Sequence, residues 1–246
     1  MTRQLFTIML LLAISVQATK AQKQGSTAEG KVKVVLHMKG NQTFECSISQ
    51  LDSITFVGDD LIIEEEHEWV DLGLPSGTLW ATCNVGANSP EEYGDYFAWG
   101  ETKPKTNYSS SSYSFTDNPS ELLSEDDAAT ANWGNGWLMP SKEQMDELIS
   151  SENTTTIWTQ QNGVNGRLIT SKKNSKTLFL PAAGFYSDTT LNYAGSYGDY
   201  WLRSAYNANS DRANDLFFQL GTIYTRENVG VRSGGQSVRP VRVKTR

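Results

Sequence analysis

Apolar and polar residues alternate along much of this chain with a period of two, the signature of half-buried strands. Val32, Val34 and Leu36 interleave with Lys31, Lys33 and Val35, which predicts a strand with one strongly apolar face. Lys39-Gly40-Asn41 is a turn signal, residues 43–48 read as the returning strand, and residues 53–57 as a third short one. A hairpin of this size is marginal in water, so it needs to dock, on the main domain or on another chain. Glu64-Glu65-Glu66 then reads as a solvated acidic linker.

A larger pattern opens near Trp69. Residues 70–77 read as a strand running into a Gly/Pro turn, and residues 78–85 as a strand. Residues 93–99 are aromatic, and residues 103–124 have the Ser, Asn, Tyr and Pro content of a long surface loop. Helical period is clear once. Ser141 and Gln144 have capping-box spacing, and Met145, Leu148 and Ile149 form the apolar stripe that follows. Residues 120–131, with acids at Glu121, Glu125, Asp126 and Asp127, read as either a weaker helix or a polar loop. Strands are then predicted at 156–160 and 167–171 around Gln161-Asn162-Gly163, and at 177–180, 200–204, 215–220, 222–226 and 237–243. Many short strands around one main helix predict an α+β domain.

The first residues change the picture of the compartment. Arg3 precedes an apolar run from Leu5 to Val16, too short to span a bilayer, and Ala18 and Ala21 suit cleavage. Residues 1–21 therefore read as a signal peptide, residues 22–64 as the hairpin module and acidic linker, and residues 65–246 as the main domain. Export to the periplasm, the outer surface or the medium is expected, with no transmembrane segment in the mature chain. The net charge of −7 argues against nucleic acid as a partner. Basic residues gather at the end, where Arg226, Arg232, Arg239 and Arg242 read as gatekeepers of a solvated edge strand. Cys46 and Cys83 lie on apolar strand faces, and reading them as small buried hydrophobes is preferred to pairing them.

Several blocks resemble a known family in the right order. These are the run from Trp69 to Ala87 (WVDLGLPSGTLWATCNVGA), Tyr96-Phe97-Ala98-Trp99-Gly100-Glu101, Gly136-Trp137-Leu138-Met139-Pro140-Ser141, Leu180-Pro181-Ala182-Ala183-Gly184, and the closing Ser237-Val238-Arg239-Pro240-Val241. Together they resemble the Fibrobacter succinogenes major paralogous domain family, common in Bacteroidetes, over residues 69–243. The resemblance implies a C-type lectin-like domain, related in architecture to formylglycine-generating enzymes, with short antiparallel strands and one main helix. It places Trp137 and Trp201 in the core rather than on a sugar platform. Residues 32–56 resemble a short module that often precedes such domains in surface proteins.

The chemistry such a fold can carry is mostly missing. No Cys follows Cys83, which excludes an oxidase of the formylglycine-generating type. The Glu-Pro-Asn, Gln-Pro-Asp and Trp-Asn-Asp tripeptides of calcium-dependent lectins do not occur, and no acidic run has a calcium-loop pattern. His37 and His67 are the only histidines and lack zinc-ligand spacing. No nucleophile elbow or phosphate loop is found, and Glu91-Glu92 read as solvated loop acids. No enzyme activity, metal or cofactor is therefore expected. What remains is a recognition surface of Tyr206, Asn207, Asn209, Asp211, Arg212 and Asn214, continued by Tyr224, Arg226, Asn228 and Arg232. Tyr, Asn and Arg supply rigid contact area and adaptable or bidentate hydrogen bonding. The expected function is a binding module for a glycan or an extracellular protein, independent of calcium. Two alternatives are a structural part of a fimbrial or other extracellular assembly, joined through the hairpin, and a variable binding protein diversified by a retroelement.

Overall fold

The computed structural model describes residues 14–15, 33–38, 42–47, 67–134, 136–205 and 211–243. The chain divides into two compact units, Met1–Glu65 and Glu66–Arg246. In the first, β1 (Ile14–Ser15), β2 (Lys33–Met38) and β3 (Gln42–Ser47) form an antiparallel sheet in that order. The predicted hairpin is the pair β2–β3, registered from Lys33 opposite Ser47 to Met38 opposite Gln42. The expected third strand at 53–57 and most of the expected signal peptide lie outside the described residues.

The second unit is mainly β, with antiparallel strand pairs and few helices. β4 (Trp69–Asp71) and β5 (Thr78–Ala81) come first, then α1 (Ala128–Trp133) and α2 (Lys142–Ile149). There follow β6 (Thr154–Gln161), β7 (Val164–Ser171), β8 (Thr177–Pro181), β9 (Phe185–Ser187) and β10 (Thr190–Asn192). The last are β11 (Gly198–Trp201), β12 (Arg212–Gln219), β13 (Thr222–Val231) and β14 (Val241–Val243). They make sheets in the orders β14-β5-β4, β6-β7-β8, β10-β9 and β11-β12-β13. Among the described residues no helix is long and apolar enough to cross a membrane.

Local chemistry explains the best-defined elements. The Ser141 side chain accepts from Gln144 N while the Gln144 side chain accepts from Ser141 N, so both ends of the capping box form. Met145 and Leu148 of α2 are then fully buried, beside Trp80, Ile169 and Leu180. Asn162 and Gly163 both take positive φ, 48° and 83°, as a two-residue hairpin turn between β6 and β7 requires. The acids near residue 125 turn out to serve a shorter helix. Asp127, fully buried, caps α1 through Ala129 N and Thr130 N and also accepts from Met139 N at 2.9 Å.

The β11–β12–β13 sheet has one face toward the core and one turned away. Tyr200, Leu216, Phe218 and Ile223 point into the cluster around α2. On the other face the register sets Asp199, Phe217 and Tyr224 in one cross-strand row, and Trp201, Asp215 and Arg226 in the next. Trp201 is fully buried in a second cluster with Phe97, Trp99 and Val238, and Trp137 lies in the same cluster.

Three expectations need correction. Residues 202–204 lie beyond the strand, because β11 ends at Trp201 and Leu202 N donates instead to Asn214 O. Arg212–Asn214 and residues 227–231, expected as loop, belong to β12 and β13, where Asn214 Oδ1 accepts from Asn228 N across a bulge. Arg232 and Arg239 do not guard a solvated edge. Arg239 is fully buried, with Nε donating to Asn84 Oδ1 at 2.8 Å and Nη1 to Thr82 O at 2.9 Å. Arg232 is 3% exposed and lies over the Trp99 ring at 4.4 Å.

Candidate functional site

The outward face of β11–β12–β13 holds a closed ionic cluster. Arg226 Nε donates to Asp215 Oδ1 at 2.8 Å, and its Nη2 donates to Asp215 Oδ2 at 2.6 Å and also to Asp199 Oδ1. Gln236 Nε2 donates to Asp215 Oδ2 at 3.0 Å. One guanidinium thus joins two buried carboxylates, with the bidentate geometry that Arg alone offers. Burial pushes the Asp199 carboxyl up to about 6, against the pull of Arg226 and helped by the nearby Asp215 charge. Asp215 is also raised, by burial, while the two acids hold Arg226 above its ordinary value despite its own desolvation. Desolvation therefore outweighs pairing for both acids.

Above this floor opens a cleft of ≈ 260 Å³. Tyr108 from the long loop, Phe185 and Tyr186 of β9, and Val229 and Val231 of β13 line it. The strap of Ser233, Gly234 and Gln236 completes it, tied down by Tyr186 N to Gly235 O at 2.8 Å and Phe97 N to Gln236 O at 3.0 Å. Because the Gln236 amide nitrogen must face Asp215, its Oε1 is fixed on the other side. Among the described residues, Gln236 Oε1 and Asp199 Oδ2 are buried acceptors with no hydrogen-bond partner. Native proteins rarely leave such atoms unmet, and both belong to residues lining the cleft.

Successive ring contacts begin at the cleft. Phe185 meets Tyr193 at 6.0 Å, Tyr193 stacks on Tyr197 at 4.4 Å, Tyr197 meets Phe217 at 5.2 Å, and Phe217 meets Tyr224 at 5.7 Å. Arg226 closes the loop, its guanidinium 4.6 Å from the Phe217 ring.

The candidate residues read from the sequence separate accordingly. Arg226 forms the cleft floor and Tyr224 ends the aromatic row. Asn228 takes φ 56° at the β13 bulge. Asn214 is buried, its side chain bonded to Ser204 Oγ and Asn228 N, and Arg232 donates to Arg212 O and Asn118 Oδ1 inside the fold. Arg212 Nη1 donates to Val229 O at 2.7 Å, and Asp211 is exposed beside it. Tyr206, Asn207 and Asn209 lie outside the described residues. Sequence reasoning missed Asp199, Asp215 and Gln236. The available signal was an acid placed beside apolar strand residues, Asp199 before Tyr200-Trp201 and Asp215 before Leu216-Phe217-Phe218, where a buried cation makes it tolerable. Cys83 is a free thiol, half-buried, and burial raises its pKa. Among the described residues no group of His, Cys, Asp and Glu gathers as a metal site. Comparison with known proteins finds no matching family model, no matching curated protein and no matching solved structure.

Proposed function

We propose that the second unit is a C-type lectin-like binding module of an exported protein, taking a glycan or extracellular protein ligand without calcium and without turnover. The observation that carries this reading is the cleft over the Asp199–Arg226–Asp215 cluster. Its charged groups are spent on one another, so the floor is rigid and preorganised, as recognition needs. Neither His67 nor Cys83 lines it, and Arg226 holds both Asp215 and the Oδ1 of Asp199. The fold assignment draws support from β4 and β14, the first and last strands of the unit, which flank the single strand β5. It draws further support from the blocks that carry the family resemblance, since Trp80, Trp99, Trp137 and Val238 all lie in the core.

The test is a binding screen of the full chain against immobilised glycans and extracellular proteins, beside Val231→Arg. Val231 is 43% exposed at the cleft wall, so an arginine there fills the mouth without disturbing the core. Retention of a ligand by the native chain, unaffected by EDTA and lost in Val231→Arg, is expected. No retained ligand, or full retention by Val231→Arg, overturns the proposal.

A further inference from the structure

The charges of the cleft floor do not balance. Asp199 and Asp215 share the single guanidinium of Arg226, and among the described residues lining the cleft only Asp199 and Arg226 carry charge. Pairing therefore spends the Arg226 charge in full and leaves one carboxylate charge over whenever both acids are ionised. The surplus has a definite place. Arg226 holds Asp199 Oδ1, while Asp199 Oδ2 is buried with no hydrogen-bond partner among the described residues. Tyr200 points into the cluster around α2, so the alternation of a strand turns the Asp199 side chain to the opposite face, where Arg226 and the cleft lie. Gln236 Oε1 is a second buried acceptor in the same condition, on a second lining residue. Asp199 and Gln236 are only 2% and 5% exposed, so bulk water does little to solvate either.

Unmet acceptors call for donors, and a leftover buried charge calls for one of opposite sign. A hydroxyl meets the first need alone. An ammonium meets both, since it carries three donors, no acceptor and a positive charge. We propose that the cleft takes a lysine side chain of an extracellular protein, with the ammonium bound to Asp199 Oδ2 and Gln236 Oε1. The inference rests on the cleft being a binding site and names the group that enters it. Val229 and Val231, each 43% exposed, and Phe185 supply apolar contact for the methylene stem, whereas a sugar ring sets hydroxyls against the same valines. The protein's charge of −7 favours a basic partner at longer range.

Protonating Asp199 removes the charge that the ammonium needs. The charged groups beside it are Asp215 of β12 and Arg226 of β13, and Tyr108, Tyr186 and Tyr200 are the other titratable ones. Burial pushes Asp199 up to about 6, so it is ionised in about nine-tenths of molecules at pH 7 and about one-tenth at pH 5. Lysine stays charged at both, and its affinity should fall about tenfold between them.

The full chain is titrated by calorimetry at pH 7 and pH 5, in about 0.15 M salt to screen exposed charge. The probes are acetyl-Gly-Lys-Gly-amide, the same peptide acetylated on its lysine nitrogen, and glucosamine. The lysine peptide is expected to bind at pH 7, about tenfold more weakly at pH 5, and about tenfold or more weakly once acetylated. Asp199→Asn keeps the shape of the side chain without its charge. It is expected to bind weakly at both pH values with no tenfold step, and to keep a native Tm, since burial already disfavours the ionised acid. Equal affinity for the two peptides, equal affinity at the two pH values, or a tenfold step that persists in Asp199→Asn overturns the proposal. If Asp199→Asn does not fold, the two peptides on the native chain decide. Glucosamine bound more tightly than the lysine peptide overturns the protein source. A native chain that retains a ligand in the binding screen but not the lysine peptide overturns the lysine assignment alone. One that binds neither overturns both readings.

Discussion

Replacing Arg226 with Met tests how the cleft floor is held together. The substitution keeps much of the aliphatic stem and removes the guanidinium. Asp215, fully buried, then loses two charge-assisted hydrogen bonds, and Asp199, 2% exposed, loses the bond to its Oδ1. Breaking a buried pair from one side costs about 3–5 kcal/mol, because the remaining charge is stranded. Two stranded carboxylates that repel each other put Arg226→Met at the upper end of that range at pH 8. The cost must shrink in acid. Asp199 already takes its proton near 6, and loss of the cation raises both acids further. At pH 5 Asp199 of the variant is therefore neutral, and the deficit should fall by at least about 1–2 kcal/mol. Urea unfolding followed by tryptophan fluorescence is the assay, since every tryptophan of the chain lies from Trp69 onward and reports this unit. A loss under about 1 kcal/mol at pH 8, or an equal loss at both pH values, refutes the account.

Asp199 itself should titrate near 6 in the native protein, followed by its carboxyl carbon resonance in NMR; a midpoint near the ordinary 3.8 would show that Arg226 outweighs burial. Because its folded-state pKa lies above the unfolded one, the native state binds the extra proton between those values. Stability should then fall as pH rises from about 4 to about 6, by on the order of 3 kcal/mol from this group. Arg239→Met removes the donors to Asn84, Ala81 and Thr82 in a fully buried site, which should cost about 3 kcal/mol and lower Tm by roughly 6–12 °C. A shift of less than about 2 °C by calorimetry would mean that water or a neighbouring donor replaces the guanidinium.

Much of the fold is legible wherever local chemistry decides it. The capping box at Ser141 and the Asn162-Gly163 turn carry their conformations in a few adjacent residues, and both form where expected. The strand ends were harder to read. Arg212, Asn214 and Asn228 are polar enough to suggest a loop, yet they sit in β12 and β13 because their side chains complete the ladder at the bulge. The arginines misled for a related reason. A basic residue in a terminal strand is usually solvated, and only its partner shows otherwise. For Arg226 that partner is Asp215 across a hairpin, and for Arg239 it is a set of carbonyls and Asn84, distant in sequence. The cleft draws on the long loop, on β9, β11 and β13, and on the strap before β14, so no single stretch of sequence announces it.

The strand order β14-β5-β4 bears on how the second unit answers a pull. Trp69 pairs opposite Ala81 and Val243 opposite Thr78, so the chain enters at one end of β5 and leaves at the other. Tension between Trp69 and Val243 runs along the strands and loads their cross-strand bonds side by side, instead of peeling them away in succession. A unit held by its two ends under load would be gripped by a clasp in shear, which makes the rate of opening, rather than equilibrium stability, the quantity that governs how long it holds.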